Sequence, residues 1–205
     1  MAEDRPQIYL LTPPSFELAE FPPLLGRLLD THEVACIRLA LATRNEEAVM
    51  RAADALRDVA HARDVALVIE DHLALVERHG LDGVHLSDGA RGVRAARKEL
   101  GADAIVGAFC GASKHDGISA GEAGADYVCF GPVGATGLGH GASAGREIFE
   151  WWSEMIEVPV VAEGALSEEL VRSFAPVSDF FAIGEEIWAS EDPVERLGRL
   201  IAEMG

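Results

Sequence analysis

Val34-Ala35-Cys36-Ile37-Arg38-Leu39-Ala40-Leu41 is an apolar run interrupted by one arginine, and residues 46–61 behind it repeat apolar side chains at helical spacing. The pair reads as a β-strand followed by an α-helix. Toward the N-terminus the same unit recurs: residues 8–11 form a short apolar run ended by Thr12-Pro13-Pro14, and residues 16–30 follow at helical period. Toward the C-terminus, apolar runs at 65–69, 83–86, 105–110, 127–130, 160–162 and 180–183 each precede a helical stretch. Those stretches are 72–79, 90–100, a Gly- and Ala-rich segment ending near 124, 146–156, 167–174 and 193–204. Eight strand-helix units at a spacing of about 25 residues imply parallel strands joined by right-handed crossovers. Their closed arrangement is a (β/α)₈ TIM barrel, with residues 1–205 as one α/β domain. The competing arrangement, an open doubly wound sheet, ordinarily carries a glycine fingerprint after its first strand, and Leu11-Thr12-Pro13-Pro14 has none.

The 205 residues are 49% hydrophobic and 25% charged, a balance that supports a sizeable core and excludes a disordered chain. Seventeen Lys and Arg against 35 Asp and Glu leave a formal net charge of −18. Such a field repels nucleic acid and acidic membrane surfaces, so neither is an expected partner. A phosphorylated small molecule is admissible where a local cation, a metal ion or oriented backbone N–H groups offset the field. No apolar run approaches the roughly 20 residues needed to span a bilayer. The acidic start Met1-Ala2-Glu3-Asp4 lacks the basic region and longer apolar core of a signal peptide, so a cytoplasmic location is expected. Cys36, Cys110 and Cys129 are widely spaced, form no C-x-x-C pair and read as small buried hydrophobes. Association into a homo-oligomer is compatible with all of this.

In such a barrel the chemistry sits at the C-terminal ends of the strands. The residues closing each run are Thr12, Arg38, Glu70-Asp71, His85 to Asp88, Phe109-Cys110, Pro132 to Thr136, Glu163-Gly164 and Gly184 to Glu186. By two-residue alternation Arg38 shares a face with Cys36 and Ala40, while Ile37 and Leu39 share the other. An arginine projecting into a barrel between small neighbours needs an anion, either a mouth carboxylate or a substrate phosphate. Asp71 reads as the N-cap of the helix behind it, as a Mg²⁺ ligand, or as both. His85 reads as a hydrogen-bonded core group or as an acid/base catalyst, with His115 and His140 as alternatives for the second role. The glycine-rich stretch 131–141 lacks the Lys and Ser/Thr of a P-loop and reads as a mobile loop covering substrate.

Several segments together resemble the thiamine phosphate synthase/TenI family: Ile69-Glu70-Asp71, Asp82-Gly83-Val84-His85-Leu86, Gly124-Ala125-Asp126-Tyr127-Val128 through Gly131-Pro132-Val133, and Pro159-Val160-Val161-Ala162-Glu163-Gly164. They occur in family order across nearly the whole chain, and the family fold is the same barrel. The resemblance implies a transferase of thiamine biosynthesis that joins hydroxymethylpyrimidine diphosphate to thiazole phosphate. Diphosphate leaves through a pyrimidine carbocation-like state with Mg²⁺. It assigns Arg38 to the pyrimidine substrate and its diphosphate, Asp71 to the metal, and Thr136 to the loop over the site. Gly164 and Ala165 fall where paired glycines hold the thiazole phosphate through backbone N–H groups, and Ile183 and Gly184 fall at the phosphate end of the last strand. His85 is carried as a second catalytic candidate, and Asp88 as the second metal ligand in place of a family aspartate that falls on or near Ala90.

The departures from the family pattern concern charge. Family lysines fall on Ala40 and on the Leu138-Gly139 pair, an asparagine on Glu70, and a serine on Phe109, while Glu185-Glu186 follows Gly184. Carboxylates beside a dianionic phosphate repel it, so the expected activity is weak and strongly Mg²⁺-dependent, with Lys114 as a candidate replacement cation. Two other readings survive: a TenI-like thiazole tautomerase using a histidine acid/base, and a catalytically silent barrel that binds a thiamine-related ligand.

Overall fold

A computed structural model describes residues 5–135 and 143–205. Eight strands, β1 (Gln7–Leu11), β2 (Cys36–Leu39), β3 (Ala66–Glu70), β4 (Gly83–Leu86), β5 (Ile105–Phe109), β6 (Tyr127–Phe130), β7 (Val160–Glu163) and β8 (Phe180–Ile183), pair in parallel in sequence order. β8 closes on β1 through Gln7 opposite Phe180 to Leu10 opposite Ile183, which makes the expected closed barrel. The helices are α1 (Phe21–Thr31), α2 (Glu46–His61), α3 (Leu73–His79), α4 (Val93–Leu100), α5 (Lys114–Glu122), α6 (Arg146–Met155), α7 (Glu168–Phe174), α8 (Glu185–Trp188) and α9 (Pro193–Ala202). No helix among the described residues is long and apolar enough to cross a membrane.

The strand alternation divides side chains as the sequence requires. Ile37 and Leu39 join the shell between sheet and helices, while Cys36 joins an inner cluster with Tyr9, Val68, Tyr127, Cys129, Val161 and Ala182. Gly107 on β5 makes that interior possible, because a Cβ there would lie 1.9 Å from Cζ of Tyr127. All three cysteines are buried and free, and burial pushes the Cys36 and Cys110 thiols up to about 12.

Beyond shifts of one to three residues at several element ends, such as α4 starting at Val93, the structure departs from the sequence reading at α1, β2 and the segment after β8. α1 begins at Phe21, with Pro22 and Pro23 in its first turn, where a missing N–H costs nothing. Residues 16–20 therefore lie outside the helix although their apolar spacing continues it. The strand expected over 34–41 is paired only over Cys36–Leu39. A one-turn helix, α8, follows β8 directly, where the sequence reading placed only the mouth residues Gly184 to Glu186.

Candidate functional site

Arg38 enters the barrel from β2 and is only 3% exposed. Its register places it between Leu11 of β1 and Val68 of β3. A guanidinium so desolvated must be paired, and three elements supply partners. Nη2 donates to Oε1 of Glu163, the last residue of β7, at 2.6 Å. Nη1 donates to Nε2 of His85 on β4 at 2.7 Å. Nε lies 3.4 Å from Oε2 of Glu70 at the end of β3, an ionic contact without hydrogen-bond geometry, so this buried N–H has no hydrogen-bond partner among the described residues. Of the two anions anticipated for Arg38, the structure thus supplies the mouth carboxylates.

His85, 1% exposed, follows from that arrangement. Burial, and then the neighbouring Arg38 charge, hold its imidazole well below the usual histidine range, so the ring is neutral. A guanidinium can only donate, so Nε2 accepts and the ring proton sits on Nδ1. From Nδ1 the ring donates to the Tyr127 hydroxyl, 2.9 Å away, and that hydroxyl shares a 2.6 Å hydrogen bond with the hydroxyl of Tyr9. Burial raises both phenols well above their ordinary value, so both stay protonated. Glu163 has a second partner, the Cys129 thiol, whose Sγ donates to Oε2 at 2.9 Å. Glu163, Arg38, His85, Tyr127 and Tyr9 thus form one hydrogen-bonded chain across the barrel interior.

The rim is more open. Asp71 follows β3 with a φ of 56°, in the left-handed region. Its Oδ1 accepts the N–H of Ser87 at 2.9 Å, and its Oδ2 accepts the Ser87 hydroxyl. The helix-cap reading of Asp71 is therefore corrected: α3 is capped at His72 with no side-chain cap bond, and the Asp71 carboxylate reaches across to the β4 end instead. Asp88, next to Ser87, is exposed. Among the described residues no three His, Cys, Asp or Glu side chains stand close enough to hold a metal ion by themselves. Two hard carboxylates suit a Mg²⁺ that keeps most of its waters and needs few protein ligands.

On the far side of the rim, Gly164 and Ala165 follow β7 with φ values of 95° and 53°. A Cβ on Gly164 would come within 2.8 Å of Pro132, so glycine is required there. Ile183 ends β8 and Gly184 follows it as the N-cap of α8, both buried. Glu186 turns its carboxylate back onto backbone N–H groups of Leu166 and Gly184, while Glu185 is exposed. Lys114 stands with its ammonium 4.9 Å from the centre of the Trp151 ring, and this contact with α6 occupies the cation proposed as a replacement. His115 is exposed on α5. Thr136 and His140 lie outside the described residues, as does most of the glycine-rich loop.

Sequence reasoning named Arg38, Asp71, His85, Gly164, Ala165, Ile183 and Gly184; the structure places Arg38 and His85 within β2 and β4 and joins them by a hydrogen bond, with Asp71 just after β3, Gly164 and Ala165 just after β7, and Ile183 and Gly184 at and after the end of β8. Sequence reasoning missed Glu163 as the partner of Arg38, and Tyr127 and Tyr9 as partners of His85. The signal for Tyr127 was present: with Cys129 it alternates onto the inner face of β6, as Arg38 does with Cys36 on β2.

Comparison with known proteins agrees with this fold. A family model described as thiamine monophosphate synthase matches residues 8–182. The chain is 42% identical over 184 residues to a thiamine-phosphate synthase of Rhodospirillum centenum, covering 89% of each chain. It is 33% identical over 192 residues to one from Erythrobacter litoralis, covering 91% of this chain and 90% of the relative. A solved structure of thiamine phosphate pyrophosphorylase from Pyrococcus furiosus shares the fold, with a TM-score of 0.82 at 21% identity over 98% of both chains.

Proposed function

The chain belongs to the thiamine monophosphate synthase family, and from that membership we propose that it joins hydroxymethylpyrimidine diphosphate to thiazole phosphate at the mouth described above. In this reaction the bond between the pyrimidine methylene carbon and the diphosphate oxygen breaks, its electron pair leaves with diphosphate, and the thiazole nitrogen bonds to the methylene carbon. The observation that carries the reading is Arg38, a guanidinium fixed by Glu163 and His85, whose Nε has an ionic contact with Glu70 but no hydrogen-bond partner among the described residues. Departure of diphosphate calls for positive charge already in place, and a charge held by three strands needs no reorganisation during the step.

In this reading His85 is a positioning residue. Both of its ring nitrogens are engaged, by Arg38 and by Tyr127, so it orients the guanidinium and moves no proton. The same engagement removes His85 as the acid/base of the tautomerase alternative, which would have to draw on another histidine with a free ring nitrogen. Arg38 is the residue that would meet the pyrimidine diphosphate, with Thr136 assigned to the same substrate by the family pattern alone, and the backbone around Gly164, Ala165, Ile183 and Gly184 would receive the thiazole phosphate. Asp71, fixed by Ser87, and Asp88 are the residues that would hold Mg²⁺. When bound, that ion supplies neutralisation of diphosphate charge, a task heightened by the loss of the family lysines.

The test is turnover of the purified chain with both substrates, read by mass spectrometry of thiamine phosphate and by diphosphate release. Product formation that a chelator suppresses is expected, and Arg38→Ala should abolish it. No product at any Mg²⁺ concentration would refute the reading.

A further inference from the structure

The Glu186 carboxylate is seated between the ends of the last two strands. Its Oε1 accepts the N–H of Leu166, 3.0 Å away in the β7–α7 connection. Its Oε2 accepts the N–H of Gly184, 2.9 Å away at the end of β8. One anion therefore bridges backbone donors contributed by two separate loops. In (β/α)₈ barrels the loops after the seventh and eighth strands are where backbone N–H groups commonly meet a phosphate. Here an anion of the protein's own is already in place. Its neighbour Glu185 is exposed and takes neither N–H group. Arg38, the buried cation of the mouth, makes its ion pairs with Glu163 and Glu70, and the hydrogen bonds of the Glu186 carboxylate go to backbone N–H groups.

We propose that Glu186 is a specificity-determining residue for the acceptor substrate: its carboxylate holds these two N–H groups in the empty enzyme, and the thiazole phosphate must displace it to bind. Glu186 thereby narrows the preference for the phosphorylated thiazole over its neutral alcohol, a preference that unoccupied N–H groups would make larger. The inference rests on the reading of the acceptor as thiazole phosphate.

Wild type, Glu186→Gln and Glu185→Gln decide it. The glutamine keeps the side-chain size but loses the charge and one of the two acceptors. Glu186→Gln is expected to lower the KM for thiazole phosphate about fivefold or more, the size of effect that removing one nearby like charge can give. The KM for the pyrimidine diphosphate and the Kd of the unphosphorylated thiazole alcohol stay where they are, and Glu185→Gln moves none of the three. Glu186→Ala, which removes both acceptors, is expected to act in the same direction. A thermal-shift titration with inorganic phosphate gives a second readout, in which the Glu186 variants gain more stability from phosphate than wild type does. A merely structural role would lower the melting temperature and leave the ratio of phosphate to alcohol affinity untouched. An unchanged ratio overturns the proposal. If none of the proteins makes thiamine phosphate, the proposed reaction falls, and the inorganic phosphate titration still decides for or against Glu186.

Discussion

Between the sheet and its helices pack Leu10, Leu25, Leu28, Ile37, Leu56, Phe149 and Trp152, all fully buried, with the Phe130 ring set edge-on to Phe149 and Trp152 at 5.7 and 5.1 Å between centroids. Inside the barrel the residues are Tyr9, Cys36, Val68, Tyr127, Cys129, Val161 and Ala182, with Arg38 and His85 threaded among them. The shell is held mainly by area and fit, its directional contacts being the ring edges and the Trp152 indole N–H, which donates to the Val158 carbonyl at 2.7 Å. The interior adds a chain of named donors and acceptors, so replacing Arg38, His85, Tyr127 or Glu163 leaves a specific buried partner unsatisfied. The difference shows where the fold spends its stability and where it spends its precision: the shell closes the barrel, and the interior fixes one guanidinium at the mouth.

The strongest way to break this contrast is to open the shell. Phe149→Ala should cost about 3–5 kcal/mol in urea unfolding, through lost transfer energy plus a cavity. The ratio of the two substrate KM values should stay unchanged, because no mouth residue loses a partner. A loss below about 1 kcal/mol would mean that the shell is not the stability reservoir. Next comes Arg38→Met, expected to cost about 3 kcal/mol by leaving Glu163 and His85 Nε2 unpaired, and to abolish turnover. Adding Glu163→Leu to it should recover most of the stability and none of the activity. A double variant as unstable as the single one would show that the ion pair is not what the interior depends on.

The shell was the legible part. Alternating apolar positions gave eight units and their closure, because burial of one strand face and one helix face writes a period into the sequence. Boundaries were lost where local chemistry overrides the period, as at Pro22-Pro23, which move the start of α1 to Phe21. Arg38 was legible because a charge between Cys36 and Ala40 contradicts its strand. Glu163 was seen only as one of many polar strand ends, since its partner lies 125 residues away and no local pattern links the two. Tyr127 and Tyr9 read as ordinary apolar strand residues, because a tyrosine hydroxyl announces nothing until its neighbour is in place. Glu186 was legible as a negative charge in the wrong place, but its grip on Leu166 and Gly184 was not, because it depends on backbone directions in two loops.

The pH dependence of stability sharpens the contrast further. The folded-state pKa of His85 lies well below its unfolded value, chiefly through burial. Below about pH 6.5 the unfolded chain therefore takes up a proton that the folded chain refuses. The contribution is fully present above that pH and is lost as pH falls through the unfolded value toward the folded one, with a slope of up to about 1.4 kcal/mol per unit. His85→Asn removes the titration, so the stability gap between wild type and variant should shrink as pH goes from 7 to 5. A gap that grows instead as pH falls would mean that the folded chain holds the buried ring charged. The donor order of the whole chain from Arg38 to Tyr127 would then need reversal.

The smallest effect is expected at Glu70, which stands where interior and rim meet. Burial raises its carboxyl pKa, the Arg38 charge opposes that, and the nearby Glu163 and Asp71 charges add to the rise. A carboxyl whose folded pKa is raised binds its proton more tightly in the folded chain. Its contribution is favourable below the unfolded value of about 4.3 and is lost as pH rises through the folded value. At neutral pH the ionised group is a net cost, so Glu70→Gln should raise the melting temperature by about 1–2 °C at pH 7, small because a side chain this exposed is screened by solvent. Near pH 4 the gain should disappear. The outcome discriminates between two accounts of the Arg38 contact at 3.4 Å. If Glu70→Gln lowers the melting temperature at pH 7, the contact is a working ion pair and Glu70 belongs to the interior. If it raises it, Glu70 is a rim carboxylate held near Arg38 against its own burial, and the interior proper ends at Glu163.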